Sequence, residues 1–533
     1  MLSRDLSVVK LNRPLISAPV KRVWCRWRIF LIPIAVLLCV TLPHLSQGDW
    51  RSDTGWYGAI GVQAWRTGNF LSLESQPGVL YFNKPPLALW IHGLFLDIFG
   101  IDLAAARVPT VLAAAVVVLA TVAIARRLGG RRVALWSGMA VASSYEFFRR
   151  TREISLDMWQ LAFVMIAVWA FVGAVLDRDR RAEVWRALAG GAALGAALLC
   201  KPLVALACLP VLGVWCVWIG AGREWTAASL GGASVPRVGR SMRLLFTMLA
   251  AAILSAGPWH LAMIFRHGAA FIEQYFGAEM MKRAAGVPMG GQSRHQPVWF
   301  YVAQIFRGYW PWLIFTVAGL VVIVRGRGFP RGRMLGPLAL VMFVGWLTLL
   351  TAFPDRRDRY AQPLYPALAW ISAIGVMSWS GTKFRAWRDC LHGRWIRLAT
   401  RGVLRWGTLV AVLVGVVAAA IPMRVQSDMD PQWSALFAWM NANPGRPLWD
   451  GAASGAPAAR MYLESGEWPR ATRGRDGWLV REPSVGELIL YHARGGWRPG
   501  VGEVSVFEAR DLVVTRLEAL PWSPEAIADP GVR

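Results

Sequence analysis

Residues 49–109 read DWRSDTGWYGAIGVQAWRTGNFLSLESQPGVLYFNKPPLALWIHGLFLDIFGIDLAAARVP, a polar and aromatic stretch between two apolar runs. It carries an isolated acid, Asp53, and further on the run NKPP at 83–86. Two consecutive prolines restrict their own backbone and that of the residue before them. The pattern therefore predicts that Lys84 is held on a stiff elbow, with a short apolar helix between this elbow and Arg107.

The composition indicates what surrounds this stretch. The chain has 533 residues, of which 55% are hydrophobic, and its mean hydropathy is +0.39; a soluble fold of this length needs much less apolar surface. Apolar runs of about 16 to 25 residues recur, long enough to cross a hydrocarbon core of about 30 Å as helices. We therefore expect an α-helical polytopic membrane protein with about eleven transmembrane helices. The predicted spans are 29–46, 103–125, 133–148, 155–176, 186–199, 202–220, 244–265, 299–324, 334–352, 361–379 and 406–423.

Arginine and lysine in the short loops set the predicted orientation. The basic N-terminal tail, 1–28, and the basic segments after every second span fall on one side, which is assigned to the cytoplasm. The opposite face receives the loop 47–102, the loop 266–298 and the tail 424–533. The net charge of +26 is then mostly a topology signal, because it is spread between spans instead of gathered on one soluble face. It gives no support for a nucleic-acid partner.

The composition changes after the last predicted span. Short alternating runs at Glu487–His492 and Asp511–Leu517 are typical of strands separated by turns. The predicted organisation is a transmembrane domain over 29–423, with its first periplasmic loop at 47–102. A small α/β periplasmic domain over 424–533 follows and is interpreted as a structural cap.

Charged residues gather at the predicted outer ends of spans. Glu153 and Asp157 are four residues apart and are expected to share one face of a helix. An ionisable residue at the membrane edge is usually paired or functional, so an ion pair of Asp157 with Arg150 or Arg152 is the alternative to a catalytic role. Basic residues at several outer loop tips need an anionic partner, for which a lipid phosphate is the chemical candidate. The basic residues concerned are Arg149, Arg150, Arg152, Lys282, Arg283, Arg356, Arg357 and Arg359. Of these, Arg149, Arg152, Arg356 and Arg359 are the candidates for binding the phosphate.

Aromatic residues accompany these charges. The amphipathic region Trp56–Trp65 is interpreted as a turn region, and Tyr81 precedes the proline elbow. Rings at the ends of spans are typical of the interfacial belts of membrane proteins, and sugars also stack on such rings. Both interpretations stay open.

Several motifs follow one another in a definite order. They are an outer-loop aspartate at 53, YFNKPPLALW at 81–90, AARVPT at 105–110, TREISLDMW at 151–159, GPWH at 257–260, FIEQYFGAEMMKRAAG at 271–286, RHQPVWFY at 294–301 and FPDRRDRYAQPLYPALAW at 353–370. This ordered set, over about residues 47–375, resembles the lipid-linked sugar glycosyltransferases of the GT-C fold. Within them it is most similar to the aminoarabinose transferases that modify lipid A, and more distantly to the protein O-mannosyltransferases.

The resemblance implies an inverting transfer of a sugar from a polyprenyl (undecaprenyl) monophosphate to lipid A or another cell-envelope glycolipid. The transfer would take place at the periplasmic face of the bacterial inner membrane. Asp53 and Asp157 match acidic positions of the family and are expected to be catalytic. Lys84 matches its phosphate-contacting lysine, with Arg149, Arg152, Arg356 and Arg359 as helpers. The residues expected in the substrate pocket are Trp56, Tyr57, Tyr81, Asn83 and Tyr360.

One position departs from the family pattern. Aminoarabinose transferases typically have a glutamate before Lys-Pro-Pro, where this chain has Asn83. An amide oxygen is a much poorer zinc ligand than a carboxylate, so no metal ligand or cofactor is assigned. A divalent metal stays open as an alternative, and Asn83 argues against it. His92, His260, His267 and His295 are interpreted as hydrogen-bonding residues.

Three other functions remain as alternatives. A protein O-mannosyltransferase would use the same donor chemistry on a protein hydroxyl. A transporter would also have many spans, but it usually shows repeat symmetry and ionisable groups at the bilayer midplane, whereas the charges here are at the outer edge. A non-catalytic scaffold is the third alternative, but this function does not explain why an acid, a proline-braced lysine and several arginines lie on the same side.

Overall fold

The structure is a computed structural model, and it is helical through most of the part of the chain that it describes. The described residues are 18–47, 50, 53–76, 78–201, 205–221, 237–282, 285, 296–325, 334–379, 448–450, 470–471, 488–492, 503–509 and 512–517. The predicted last span, 406–423, the tail before residue 18 and most of the predicted C-terminal domain lie outside these residues.

The helices follow one another with short connections. They are α1 Ala18–Thr41, α2 Asp53–Thr67, α3 Leu87–Phe99, α4 Leu103–Leu128, α5 Arg131–Ala142, α6 Tyr145–Arg149, α7 Leu156–Leu176, α8 Arg180–Leu198, α9 Cys208–Ala221, α10 Val238–Phe271, α11 Phe300–Gly308, α12 Leu313–Val324, α13 Leu335–Ala352 and α14 Leu364–Trp379. Short 3₁₀ turns lie at Leu42–His44, Arg150–Arg152 and Asp358–Ala361. A two-stranded hairpin, β1 Glu74–Gln76 and β2 Val79–Leu80, lies between α2 and α3.

Length and apolar composition identify the helices that can cross a membrane. Within the described residues five segments qualify, and a bent helix pair makes a sixth if it counts as one span. The five are Trp27–His44, Leu103–Leu128, Leu156–Leu176, Val238–Lys282 and Leu335–Ala352. Shorter apolar helices lie at Leu87–Phe99, Cys208–Ala221 and Leu364–Ser378. The chain is therefore a multi-pass membrane protein.

The bent pair corrects one predicted span. The sequence 299–324 was expected to form one helix, but α11 and α12 meet at a bend of 118°. The break contains Pro311, whose missing N–H and bulky ring interrupt a continuing helix. The hydrophobic run was thus long enough for a span, and the proline divided it.

The predicted loop 266–298 is also partly helical. Helix α10 continues to Phe271 and then as a π-helix from Ile272 to Lys282. The prediction ended the span at the charged residues near Arg266, but apolar side chains continue beyond them, and Phe271 and Tyr275 are buried. The chain changes direction at Gly268, whose φ of 53° lies in a region that favours glycine.

Helices α2 and α3 cross with their backbones in close approach. A Cβ atom placed on Gly93 would lie 2.1 Å from the Gly61 carbonyl oxygen, so only glycine fits there. The expectation of a turn over Trp56–Trp65 was wrong, because this region lies inside α2. Its side chains Ile60 and Val62 are fully buried, and this burial stabilises the helix.

Five strands at the C-terminal end form one sheet. They are β3 Leu448–Asp450, β4 Arg470–Ala471, β5 Leu488–His492, β6 Glu503–Ala509 and β7 Leu512–Leu517, in the order β4-β3-β5-β7-β6. β3 pairs in parallel with β4 and β5, and β7 pairs antiparallel with β5 and β6. The strands predicted at 487–492 and 511–517 coincide with β5 and β7.

Candidate active site

Backbone contacts bring the predicted site elements together. The amide of Leu87, at the start of α3, donates to the Leu199 carbonyl at 3.0 Å, which fixes the proline elbow beside the end of α8. The amide of Ile154, just before α7, donates to the Thr54 hydroxyl at the start of α2, at 3.4 Å. The starts of α2, α3 and α7 and the end of α8 therefore lie at one end of the bundle.

Lys84 forms an ion pair with a residue far away in sequence. Its Nζ donates to the Glu279 carboxylate at 2.5 Å and to the Asn83 carbonyl at 3.1 Å. The two charged side chains are only 11% and 6% exposed. The neighbouring Asn83 side-chain oxygen accepts from the Gln274 amide at 2.9 Å. The π-helix that carries Glu279 and Gln274 is thus fastened to the elbow that carries Lys84.

Aromatic side chains stand next to this ion pair. The Phe82 ring packs against Phe271, with ring centroids 5.5 Å apart, and against His267 at 4.9 Å. Phe271 in turn stacks on Tyr275, with centroids 5.0 Å apart. His267 shares a 2.7 Å hydrogen bond with the Ser72 hydroxyl. Phe82, next to the elbow, therefore packs against aromatic side chains from the end of α10, to which the π-helix adds Tyr275.

Asp157 forms a second charged cluster. Its carboxylate accepts from Lys201 Nζ at 2.6 Å, and Arg359 Nε is 4.0 Å away. Lys201 Nζ also lies 3.9 Å from the centre of the Tyr360 ring, a cation–π geometry. Gln160, one turn after Asp157, donates to the Lys201 carbonyl. The alternative of an ion pair at Asp157 is therefore confirmed, but the predicted partners Arg150 and Arg152 were wrong, since Lys201 takes this place.

The environment of Tyr360 follows from this cluster. Burial raises the pKa of a phenol, but the positive charges of Lys201, Arg357 and Arg359 outweigh burial, and the pKa of Tyr360 is lowered from its ordinary value. The Tyr360 hydroxyl therefore lies in a corner of the site where three cations act on it.

The expected shared helical face of Glu153 and Asp157 was wrong. Glu153 has an extended backbone, with φ −127° and ψ 158°, and α7 begins only at Leu156. Ser155 caps the helix by accepting from the amide of Met158 at 3.1 Å. Because this cap starts the helix after Glu153, Glu153 is not part of α7 and does not share a helical face with Asp157.

Glu153 belongs to a third charged cluster around Arg150. The Arg150 guanidinium lies 2.8 Å from Glu146, 3.2 Å from Glu153 and 2.5 Å from Asp358. Arg149 adds contacts to Glu146 at 2.8 Å and to Asp358 at 2.9 Å. Burial raises the pKa of Asp358, but Arg150 and Arg149 outweigh burial and hold this pKa below its ordinary value. The cluster ties α6 to the turn that carries Arg359.

The remaining predicted site residues have the following places. Arg152 donates to the Val40 carbonyl at 3.3 Å, and Arg356 donates to the carbonyls of Gln296 and Thr351. Trp56 and Tyr81 form a ring pair with centroids 6.4 Å apart, and Tyr57 is half-buried in α2. Asp53 begins α2, and its side chain lies outside the described part of the structure.

Lys201 and Glu279 are two of the charged residues of the site that were not among the predicted site residues. Lys201 interrupts a long apolar stretch, and a lone charge in such a stretch is a functional signal in a membrane protein. Glu279 lies in the quoted motif FIEQYFGAEMMKRAAG, without a local pattern that singles it out. Their partners are 44 and 195 residues away in sequence, so only the fold reveals the pairs.

The histidines were correctly interpreted as hydrogen-bonding residues where the structure describes them. His92 bonds the Ala106 carbonyl at 2.8 Å. His260 bonds the Ala256 carbonyl at 2.9 Å and the Tyr275 hydroxyl at 3.1 Å. His295 lies outside the described residues.

The described side chains do not fit a metal centre. Among them there is no group of three or more His, Cys, Asp or Glu residues that could hold an ion. At the position where aminoarabinose transferases typically have glutamate, the Asn83 oxygen is engaged by Gln274. No chemical step is assigned to a metal, and the role of a divalent metal stays open, as the sequence left it.

The architecture defines a class: a multi-pass helical membrane protein with charged clusters at one end of its bundle. The structure of ArnT from Cupriavidus metallidurans bound to undecaprenyl phosphate superposes with a TM-score of 0.65, 17% identity, and coverage of 92% of this chain and 98% of that one. The oligosaccharyltransferase of Archaeoglobus fulgidus superposes with a TM-score of 0.54, 13% identity, and coverage of 88% and 62%. The expected GT-C fold is therefore confirmed.

Sequence comparison narrows this class. The model of the dolichyl-phosphate-mannose-protein mannosyltransferase family matches residues 83–233. An undecaprenyl phosphate-α-4-amino-4-deoxy-L-arabinose arabinosyl transferase of Pseudomonas fluorescens Pf0-1 is 28% identical over 73% of this chain, and the match spans 63% of its own length. One from P. fluorescens Pf-5 is 27% identical over 94% of this chain and 91% of its own length. The predicted resemblance to lipid-linked sugar transferases is thus confirmed.

Proposed function

We propose that this chain is a membrane glycosyltransferase that moves a sugar from undecaprenyl monophosphate to lipid A or another cell-envelope glycolipid. The observation that carries this proposal is Lys84, a nearly buried ammonium group on a proline-braced elbow. It lies in a fold shared with a transferase that binds undecaprenyl phosphate. The similarity to 4-amino-4-deoxy-L-arabinose transferases supports an aminopentose as the sugar.

The reaction breaks the bond between the anomeric carbon and the phosphate oxygen. Negative charge grows on the leaving phosphate, and cations in a water-poor site stabilise this charge most. We assign Lys84 as the cation that contacts the phosphate. Further positive charge on the outer side comes from Arg149, Arg152, Arg356 and Arg359. The inverting geometry requires the acceptor oxygen on the opposite face of the sugar.

The two aspartates divide the work on the acceptor side. Asp53 acts as general base when the acceptor is a hydroxyl, and positions the acceptor when it is an already ionised phosphate of lipid A. Asp157 is held by Lys201 at 2.6 Å, and this contact fixes the carboxylate in place. Trp56, Tyr57, Tyr81, Asn83 and Tyr360 form the walls of the sugar pocket.

The proposed topology places this chemistry at the periplasmic face of the inner membrane. Eleven spans over 29–423 follow a cytoplasmic tail at 1–28, with the first periplasmic loop at 47–102. A periplasmic α/β domain over 424–533 closes the chain. The five-stranded sheet supports a folded domain in this part of the chain.

The test uses the full-length protein in detergent with undecaprenyl phosphate-4-amino-4-deoxy-L-arabinose and lipid A, and mass spectrometry of the lipid product. We expect a pentosamine mass addition with the wild type, and at least a hundredfold slower transfer with Lys84→Met, since one preorganised donor to a developing oxyanion contributes about 10²- to 10³-fold. Lys282→Met is the matched control, because Lys282 is exposed at the end of the π-helix. Equal rates for Lys84→Met and the wild type would exclude the assigned role.

Protein O-mannosylation is the second candidate. The match of residues 83–233 to the protein mannosyltransferase family favours it. The same preparation incubated with undecaprenyl phosphate-mannose and a serine- and threonine-rich peptide decides between them. A mannosylated peptide together with unmodified lipid A would select the second candidate.

A further inference from the structure

Glu279 is a carboxylate that stands where a donor phosphate would meet Lys84. Its oxygen is 2.5 Å from Lys84 Nζ, and its side chain is 6% exposed. A buried charge is costly unless it is paired. A phosphate that binds Lys84 therefore competes with the Glu279 carboxylate for the same ammonium group.

The chemistry of the donor sugar decides the outcome of this exchange. A neutral sugar brings only the phosphate, so Glu279 is left beside a second anion. A sugar with a primary amine, which is protonated near neutral pH, brings a cation as well. The phosphate then contacts Lys84 and the ammonium group of the sugar contacts Glu279, so that each of the two anions faces a cation.

We propose that Glu279 binds the amino group of the donor sugar and is a specificity-determining residue of this enzyme. The inference rests on the proposed function and deepens it, because it names the side chain that would distinguish an aminopentose from a neutral sugar. Removing a charged hydrogen-bonding partner in such a site changes discrimination by about tenfold or more.

The local fold keeps Glu279 in position for this role. Gln274 and Glu279 are five residues apart on a π-helix, whose hydrogen bonds join residues five apart, and such segments are frequent at functional sites. The two side chains therefore share a face, and they contact the consecutive residues Asn83 and Lys84. The Gln274 contact holds the π-helix to the elbow when the ion pair exchanges partners.

A purely structural role makes a different prediction. If Glu279 only holds Lys84 in place, its loss weakens transfer of every sugar by the same factor. If it binds the amine, its loss weakens transfer of the amino sugar and leaves the neutral sugar unaffected or improved. The ratio of the two rates separates the roles even when the variant is less active overall.

The experiment compares two donors, undecaprenyl phosphate-4-amino-4-deoxy-L-arabinose and undecaprenyl phosphate-arabinose, with lipid A as acceptor. The enzymes are the wild type, Glu279→Gln and the control Glu273→Gln, an exposed residue of the same π-helix. We expect the wild type and the control to favour the amino sugar in kcat/KM by tenfold or more. In Glu279→Gln the ratio should fall close to one, mainly through a higher KM for the amino sugar.

A binding measurement supplements the rates. Undecaprenyl phosphate without a sugar has no amine, so Glu279→Gln should bind it several-fold more tightly than the wild type. An unchanged donor ratio in Glu279→Gln, or weaker binding of undecaprenyl phosphate, overturns the role of Glu279 while transfer by the wild type stands. Absence of transfer by the wild type from both donors overturns the proposed function and this inference with it.

Discussion

The close approach of α2 and α3 makes Gly93→Ala the sharpest test of how the site is built. The new Cβ would lie 2.1 Å from the Gly61 carbonyl oxygen, where ordinary contact begins at 3.4 Å. Because packed backbones cannot absorb such an overlap, the helices must separate by roughly 1.3 Å at this point. The carbonyl is backbone, so no side-chain rotation relieves the clash.

The separation would move the two ends of the candidate site apart. Helix α2 begins at Asp53, and α3 begins three residues after Lys84. A misplacement of about 1 Å at reacting groups costs about a hundredfold in rate, and overpacking costs about 1–3 kcal/mol of stability. We therefore expect kcat to fall about a hundredfold, with a smaller effect on the melting temperature.

The assay is lipid A transfer by purified protein, together with thermal unfolding in the same detergent. Gly239→Ala is the control, because its Cβ meets no atom within 4 Å, and the same change in an open part of a helix should be neutral or slightly stabilising. Full activity of Gly93→Ala would refute the idea that backbone contact sets the distance between the two site segments. A Gly239→Ala enzyme as inactive as Gly93→Ala would refute it equally.

Three further predictions follow from single contacts. Lys201→Met removes the side chain that contacts Asp157 at 2.6 Å, and kcat should drop at least tenfold. Lys201→Arg should keep part of the activity, because it keeps the positive charge. Wild-type rates for Lys201→Met would contradict this role. Arg107→Met removes two 2.6 Å hydrogen bonds to the carbonyls of Leu45 and Gln47, and should lower the free energy of unfolding by about 2–3 kcal/mol. An unchanged melting temperature would contradict this prediction. The lowered pKa of Asp358 means that its pairing stabilises the fold above the unfolded value near 3.9 and is lost as pH falls through the folded pKa. The difference in melting temperature between wild type and Asp358→Asn should therefore be constant from about pH 7 to 5 and shrink below about pH 4. A difference that grows in acid would contradict the lowered pKa of Asp358.

The local features of the site could be predicted because local rules produce them. Two prolines fix the backbone at the elbow, and Leu87 begins a helix directly after them, as the apolar sequence indicates. The hydrogen-bonding roles of His92 and His260 also follow from residue type and the apolar surroundings. These properties depend on a few neighbours in sequence, which is the range over which sequence patterns are informative.

The partners of the charged residues could not be predicted in this way. Asp157 has basic residues close by in sequence at 149–152, yet its carboxylate pairs with Lys201, because the Ser155 cap and the packing of α7 on α8 decide which cation comes near. In the same way, the hydropathy of 299–324 indicated a run long enough to span a membrane, but it did not predict the bend between α11 and α12. Hydropathy measures transfer into the bilayer, and the bend depends on one proline.

Three of the described cations of the site contact carboxylates, and this pairing shapes how the site can bind a donor. Lys84 contacts Glu279, Arg149 contacts Glu146 and Asp358, and Lys201 contacts Asp157. A phosphate that reaches Lys84 or Arg149 therefore exchanges partners with a carboxylate, and the gain in free energy is the difference between two ion pairs. Such a difference is small for an anion alone, so affinity must come from the lipid chain and from a second charge on the donor. This is the physical reason why selectivity for the sugar should reside in the carboxylate that the phosphate displaces.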